Sequence, residues 1–218
     1  MEITARDFKD YFILIVNMIE EQKDYLCELD RRIGDGDHGV TMSIGWQAVH
    51  ERLLNELAEE EDSAKISLIV GKTFLNAVGS SVGPLYATGF MRGAKTIKNK
   101  LTVHTDDLVA YWLAFAKGIK ERGRSEVGDK TMVDTLEPFA TMLETKYKES
   151  NDFIAAYSEA IAAAKEGMES TKDLVSRKGR SSRLGERSVG ALDPGATSAY
   201  FILATFLDFV EAKKVKAS

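Results

Sequence analysis

Three carboxylates, Asp30, Asp35 and Asp37, fall within eight positions in the stretch Leu29-Asp30-Arg31-Arg32-Ile33-Gly34-Asp35-Gly36-Asp37-His38-Gly39-Val40-Thr41. Residues two apart on an extended segment point the same way, so Asp35 and Asp37 can converge on one point. Gly34, Gly36 and Gly39 let the backbone bend sharply and approach a ligand closely. Two unit charges about 4 Å apart repel by about 4 kcal/mol at an effective dielectric of about 20. Acids packed this closely want a cation. Hard oxygen donors select Mg²⁺ or Ca²⁺, and Mg²⁺ is typically completed by substrate phosphates and water. The plain alternative is a solvated acidic turn in which Asp37 caps the next helix.

Three familiar motifs compete for these residues and each fails on a checkable point. Gly34-x-Gly36-x-x-Gly39 has the spacing of the dinucleotide fingerprint, but that motif must follow a strand, and Phe8 to Leu29 are helix-periodic. An EF-hand beginning at Asp35 needs an acid or amide at its fifth position and Glu at its twelfth, where Gly39 and Trp46 stand. A Walker loop ending in Gly71-Lys72-Thr73 needs a glycine where Ile66 stands.

Three further stretches have ligand-like chemistry. Gly79-Ser80-Ser81-Val82-Gly83-Pro84 is a small-residue turn before a helix, with hydroxyls and free amides that could hold an anion. Gly123 to Met132 is a polar loop. Ser176 to Arg187 carries five basic residues against one acid in an otherwise acidic chain, and reads as a flexible basic loop in which Arg180 follows a glycine and precedes serines. Arg180 is therefore the candidate to neutralise charge on a transferring phosphoryl group.

The elements that must position these loops are helices. Phe8, Phe12, Ile15, Ile19, Leu26 and Leu29 make an amphipathic face on helix 1, which is expected to end at Asp30. Helix 2 starts near His38 with Asp37 placed as its cap, and Glu59-Glu60-Glu61-Asp62 closes it. Ser63 opens helix 3, which runs to about Val78; Pro84 marks the first turn of helix 4. Helix 5 runs from Thr105 to near Gly123, and Pro138 marks either a helix 6 start near Asp134 or a kink. Alanine-rich helix 7 invites close packing, and Asp193-Pro194-Gly195 opens helix 8, expected to reach about Ala212 before a frayed tail with Lys213, Lys214 and Lys216. Almost no stretch alternates with period two, so the fold expected is all-α, an eight-helix antiparallel bundle forming a single domain over 1–218. In an up-down arrangement the loops after helices 1, 3, 5 and 7 share one end, and these are the four ligand-like loops.

Composition narrows the function classes. With 44% hydrophobic and 29% charged residues there is ample core and no signature of disorder. The net charge of −5 argues against nucleic acid or an anionic membrane as partner. Cys27 is the only cysteine, which excludes an intrachain disulfide and fits a reducing cytoplasm. The apolar run Tyr11 to Val16 is too short to span a bilayer.

Taken together, Ile33-Gly-Asp-Gly-Asp-His-Gly39, Ser80-Ser-Val-Gly-Pro84, Gly128-Asp-Lys-Thr-Met132, Arg177-Lys-Gly-Arg180, Leu184-Gly-Glu-Arg-Ser188 and Asp193-Pro-Gly-Ala-Thr197 resemble the nucleotide-binding subunit of dihydroxyacetone kinases. The resemblance implies an eight-helix barrel with ADP or ATP at one end and two Mg²⁺ ions held by Asp30, Asp35 and Asp37. Carried over by position, it implies nucleotide contacts from His38, Gly39, Val40, Thr41, Ser81, Val82, Gly123, Met132, Arg180, Asp193, Pro194 and Gly195. Val82 stands where a serine is expected, and Thr41 replaces an asparagine of some members. The chain opens at helix 1 with no substrate-binding domain ahead of it, which resembles the phosphotransferase-system type. There, bound ADP is rephosphorylated by a phosphohistidine-carrying subunit, and the ATP formed phosphorylates dihydroxyacetone on another subunit. A kinase for another ketose or for a fatty acid, and a non-catalytic nucleotide sensor, are the alternatives, and oligomeric state, including a homodimer, stays open.

Overall fold

The computed structural model describes residues 1–217. Among these, helical periodicity becomes eight α-helices: α1 (Ala5–Ile33), α2 (His38–Leu54), α3 (Ser63–Ala77), α4 (Val82–Thr96), α5 (Thr105–Gly123), α6 (Val133–Ser150), α7 (Phe153–Ser170) and α8 (Pro194–Ala217). Two short strands, β1 (Glu2–Ile3) and β2 (Val103–His104), pair antiparallel and tie the N-terminus down. Each helix packs on its successor, and α8 packs back on α1, which closes the bundle into a barrel. Short connections make neighbours antiparallel.

Aromatic side chains fill the barrel. Trp46 packs against Phe12, Phe74 and Phe90, and Trp112 against Phe115, Phe139, Tyr157 and Phe206. Trp46 and Trp112 are fully buried, so truncating either to alanine would cost about 3–5 kcal/mol. Close packing between α6 and α7 uses Gly167. A Cβ there would lie 2.0 Å from the carbonyl oxygen of Asp134, the acceptor that Pro138 cannot serve for want of an N–H.

Some boundaries differ from expectation. α1 does not stop at Asp30 but runs to Ile33, so Asp30 lies in its last turn. α2 ends at Leu54, and the acidic corner is a separate turn in which Asp62 caps α3. α6 does start beside the expected Asp134, at Val133, with Pro138 inside it. α8 continues past Ala212 to Ala217, and Lys213 is not frayed, because its Nζ bonds Asp7 Oδ1 at 2.7 Å. The side chain of Lys216 lies outside the described ones. The segment after α7 is not a featureless linker either: it folds into 3₁₀ turns at Thr171–Asp173 and Arg180–Ser188.

Candidate functional site

The ends of α1 and α5, the starts of α2, α4, α6 and α8, and the segment after α7 surround one cleft of about 510 Å³. All four loops expected to carry ligand chemistry therefore meet. One wall is acidic. Asp30, Asp35 and Asp37 each offer a carboxylate oxygen, and these oxygens lie within 4.8 Å of one another. The helical extension explains how. Asp30 projects from the last turn of α1, and its Oδ2 accepts the N–H groups of Asp37 at 2.9 Å and His38 at 3.3 Å, folding the loop back over the helix end. A Cβ on Gly34 would meet Asp30 Oδ1, so any side chain there would displace the Asp30 carboxylate from the cluster.

Asp37 occupies the cap position of α2 but makes no side-chain cap bond. Its carboxylate faces the cluster instead, which removes the capping alternative. Arg180 Nη1 bonds Asp35 Oδ2 and lies 3.9 Å from Asp37 Oδ2. The guanidinium thus supplies positive charge where a divalent cation would. Three clustered carboxylates, two of them solvent-facing, fit a hard cation such as Mg²⁺.

Val82, Leu85, Ile119, Met132 and Val133 give the cleft an apolar lining as well. Helix N-termini also border it. Neither Ser81 at α4 nor Met132 at α6 makes a side-chain cap bond. The first amides of α6 are served partly from within, as Thr131 Oγ1 accepts Val133 N–H at 3.1 Å. Asp193 does cap α8, accepting Ala196 N–H at 2.7 Å. Of the nucleotide positions expected above, His38, Thr41, Ser81, Val82, Gly123, Met132, Arg180, Asp193, Pro194 and Gly195 line the cleft. The side chains of Gly39 and Val40 do not. A Cβ on Gly39 would meet Lys23 O at 1.9 Å, so that glycine lets α2 touch α1, and Val40 is exposed on the outer face.

The chain matches the DAK2 domain over residues 32–208. It belongs to the DAK2 domain family. It is 37% identical over 191 residues to the ADP-binding subunit DhaL of PEP-dependent dihydroxyacetone kinase 2 from Listeria innocua, covering 88% of each chain. It is 36% identical over 203 residues to the corresponding DhaL subunit of Escherichia coli, covering 93% of this chain and 96% of that one. The crystal structure of the dihydroxyacetone kinase of C. freundii shares the fold with a TM-score of 0.70 at 22% identity, over 92% of this chain and 34% of that one.

Within this DAK2 site, burial sets the protonation states. His38 is buried, and its desolvation lowers its pKa to about 4 against the opposing pull of Asp30. Its Nε2 lies 3.0 Å from Ser198 Oγ, which also bonds Tyr86 OH at 2.9 Å and donates to Gly195 O at 3.1 Å. With the serine proton given to Gly195, the imidazole is the donor to Ser198, a neutral ring held in a hydrogen-bond chain. Burial raises Asp193 to about 7, the Ala196 amide opposes that rise, and the charge of Asp134 adds to it. Burial also raises Asp134, whose carboxylate accepts the N–H groups of Gly128 at 2.6 Å and Thr131 at 2.7 Å and so shapes the loop before α6.

Two cleft residues were not singled out from the sequence. Ser80 Oγ is buried, lines the cleft and has no hydrogen-bond partner among the described residues. An unpaired buried hydroxyl is costly. The small-residue turn was the available signal, but only burial separates Ser80 from Ser81. Lys130 is the second, 1% exposed despite its charge.

Proposed function

We propose that this chain, as a single domain over 1–218, is the nucleotide-carrying subunit of a phosphotransferase-system-dependent dihydroxyacetone kinase acting in the cytoplasm. The observation that carries this reading is the meeting, in one cleft, of an acid triplet, the starts of four helices and one long, exposed cation, Arg180. This is apparatus for phosphates and the metals that accompany them. The DhaL names of the relatives at 36–37% identity support the nucleotide as ADP and the acceptor chemistry as that of dihydroxyacetone kinases.

In this reading the base lies against Val82, Leu85, Ile119 and Met132, and the phosphates run past the starts of α2, α4 and α8 toward the acids. His38, Gly39, Val40 and Thr41 at the start of α2 and Ser80, Ser81 and Val82 at the start of α4 contact the nucleotide, while Gly123 and Asp193 to Gly195 complete the pocket. Asp30, Asp35 and Asp37 hold two Mg²⁺ ions, which supply Lewis-acid neutralisation of the phosphate charge. Arg180 exchanges its ion pair with Asp35 for the transferring phosphoryl group and stabilises the charge that develops there. His38, kept neutral, positions the start of α2 and serves neither as base nor as nucleophile. In this reading dihydroxyacetone is held by a partner subunit, and the phosphohistidine donor is a second partner.

The reading is tested by purifying the protein without added nucleotide, denaturing it and analysing what is released. Near-stoichiometric ADP is expected, and phosphoryl transfer to dihydroxyacetone should appear once both partner subunits are supplied. An empty protein that supports no transfer with those partners overturns it.

A further inference from the structure

Lys130 is the least explained residue of the site. Its side chain is 1% exposed, and its backbone sits at φ +60°, a left-handed conformation that a side chain rarely adopts. Burying an ammonium is costly unless its donors are all used. Here Nζ donates to three carbonyl oxygens, those of Ser188 at 2.5 Å, Ala191 at 2.7 Å and Leu174 at 3.2 Å. A methionine would fill the same volume without the desolvation cost, so the three carbonyls are the reason for the charge.

Those carbonyls belong to the two stems of one loop. Leu174 stands on the segment leaving α7, and Ser188 and Ala191 on the segment returning to α8. The stems touch directly as well, through Gly190 N–H to Lys172 O at 2.7 Å and Ser176 N–H to Ser188 Oγ at 2.8 Å. Between them the chain projects as a tip that carries Arg180, with left-handed glycines on either side at Gly179 (φ +67°) and Gly185 (φ +56°). The stems are tied to the segment before α6 by the Lys130 side chain and by the Arg177 N–H, which donates to Asp129 O at 3.0 Å.

We propose that Lys130 is a positioning residue: by clamping both stems of the 172–191 loop, it sets where the Arg180 guanidinium stands over the cleft and so how long a nucleotide is retained. The proposal rests on the reading above in which Arg180 contacts the phosphates. Desolvation lowers the Lys130 pKa, and the charges of Asp193 and Asp173 oppose that, in keeping with an ammonium held by the fold rather than by solvent.

The test compares Lys130→Met, Lys130→Gln, Arg180→Ala and the double variant Lys130→Met/Arg180→Ala. Release of a fluorescent ADP analogue from the Mg²⁺-loaded protein and tryptic cleavage within 177–187 are the readouts. The expected result is about tenfold faster release in either Lys130 variant, the loss of one or two charge-assisted hydrogen bonds. Faster cleavage of the loop is expected with it, and no further acceleration of release when Lys130→Met is added to Arg180→Ala. A purely stabilising lysine would instead add its effect in the Arg180→Ala background, and that additivity, or unchanged release and cleavage, overturns the proposal. Should Lys130→Met not fold, Lys130→Gln carries the same comparison. If Arg180→Ala alone releases nucleotide at the wild-type rate, the assignment of Arg180 to the phosphates fails, while loop cleavage still decides whether Lys130 clamps the stems.

Discussion

At the end of the barrel away from the cleft, every helix N-terminus is closed by a side chain. Thr4 and Asp7 form a capping box on α1, Asp107 accepts the His104 N–H at 3.0 Å at the start of α5, Asp62 caps α3 and Asp152 caps α7. The cleft end is finished the other way. Asp37, Ser81 and Met132 leave α2, α4 and α6 without a cap bond, and only Asp193 caps α8. Each cap is worth about 1 kcal/mol. One end of the molecule therefore takes this stabilisation at each of its helix starts, and the other takes it from the N-cap side chain at α8 but not at α2, α4 or α6.

Charge follows the same division. Away from the cleft, acids are matched by neighbours, as in Lys65 with Glu60 and Lys100 with Asp107. At the cleft, two of the three clustered acids, Asp35 and Asp37, share one arginine. The sharpest way to break the comparison is Asp35→Ala. Retention of Mg-ADP and kinase turnover with partner subunits should fall by on the order of a hundredfold or more, the scale of removing one group that stabilises transferring charge. The melting temperature of the metal-free protein should hardly move, because Asp35 and Arg180 are both more than half exposed and an exposed ion pair contributes little. Normal retention and turnover in this variant would refute the metal assignment.

The buried groups of the cleft give the two ends different responses to acid. His38 is held at about 4, below its ordinary 6.5, so below pH 6.5 the unfolded chain takes a proton that the folded chain refuses. Its contribution to stability is complete above pH 6.5 and is lost as pH falls toward 4, by up to about 3 kcal/mol. Asp193 is raised from 3.8 to about 7, so over that window the folded chain binds the proton the unfolded chain lacks, and stability rises as pH falls. The two trends oppose each other between pH 6.5 and 4. Asp193→Asn should therefore unmask the histidine: in EDTA, its urea midpoint should decline from pH 6.5 to 4.5 more steeply than that of the wild type. Parallel curves would show that the two groups do not carry these shifts.

A control from the far end completes the contrast. Asp62→Ala removes two bonds to the start of α3 and should cost about 1 kcal/mol, seen as a melting temperature lower by a few degrees, with Mg-ADP retention unchanged. A loss of nucleotide would mean that the two ends are coupled through the barrel.

Much of this division could be read before any coordinates. The period of Phe8, Phe12, Ile15 and Ile19 announces a helix, and the short connections place the loops after odd-numbered helices together. The acid triplet is legible because three carboxylates so close in sequence cannot be far apart in space. What escaped was set by three-dimensional context. The continuation of α1 to Ile33 was hidden because the glycine-rich run starts immediately after it. Lys130 reads as one more polar loop residue, since nothing local says that three carbonyls from 44 to 61 positions away will surround it. Gly39 carries a motif position, yet its place is decided by contact with Lys23.

The same difference between local pattern and burial separates the two serines of the turn before α4, and it gives the smallest effect to be measured. Ser80 Oγ is buried and unpaired, whereas Ser81 sits at the cap position without a cap bond. If the turn were merely a crossing point for helices, Ser80→Ala would relieve an unsatisfied hydroxyl and do nothing else, raising stability by a few tenths of a kcal/mol. If the hydroxyl is kept for a phosphate oxygen, the same variant should be no less stable without ligand yet bind Mg-ADP about five- to tenfold more weakly, the worth of one hydrogen bond. Thermal melting with and without Mg-ADP reads both quantities in one titration. A variant that gains stability and keeps its affinity would place Ser80 with the far end of the barrel, as packing, and leave the amides of α4 as the turn's only contribution to the site.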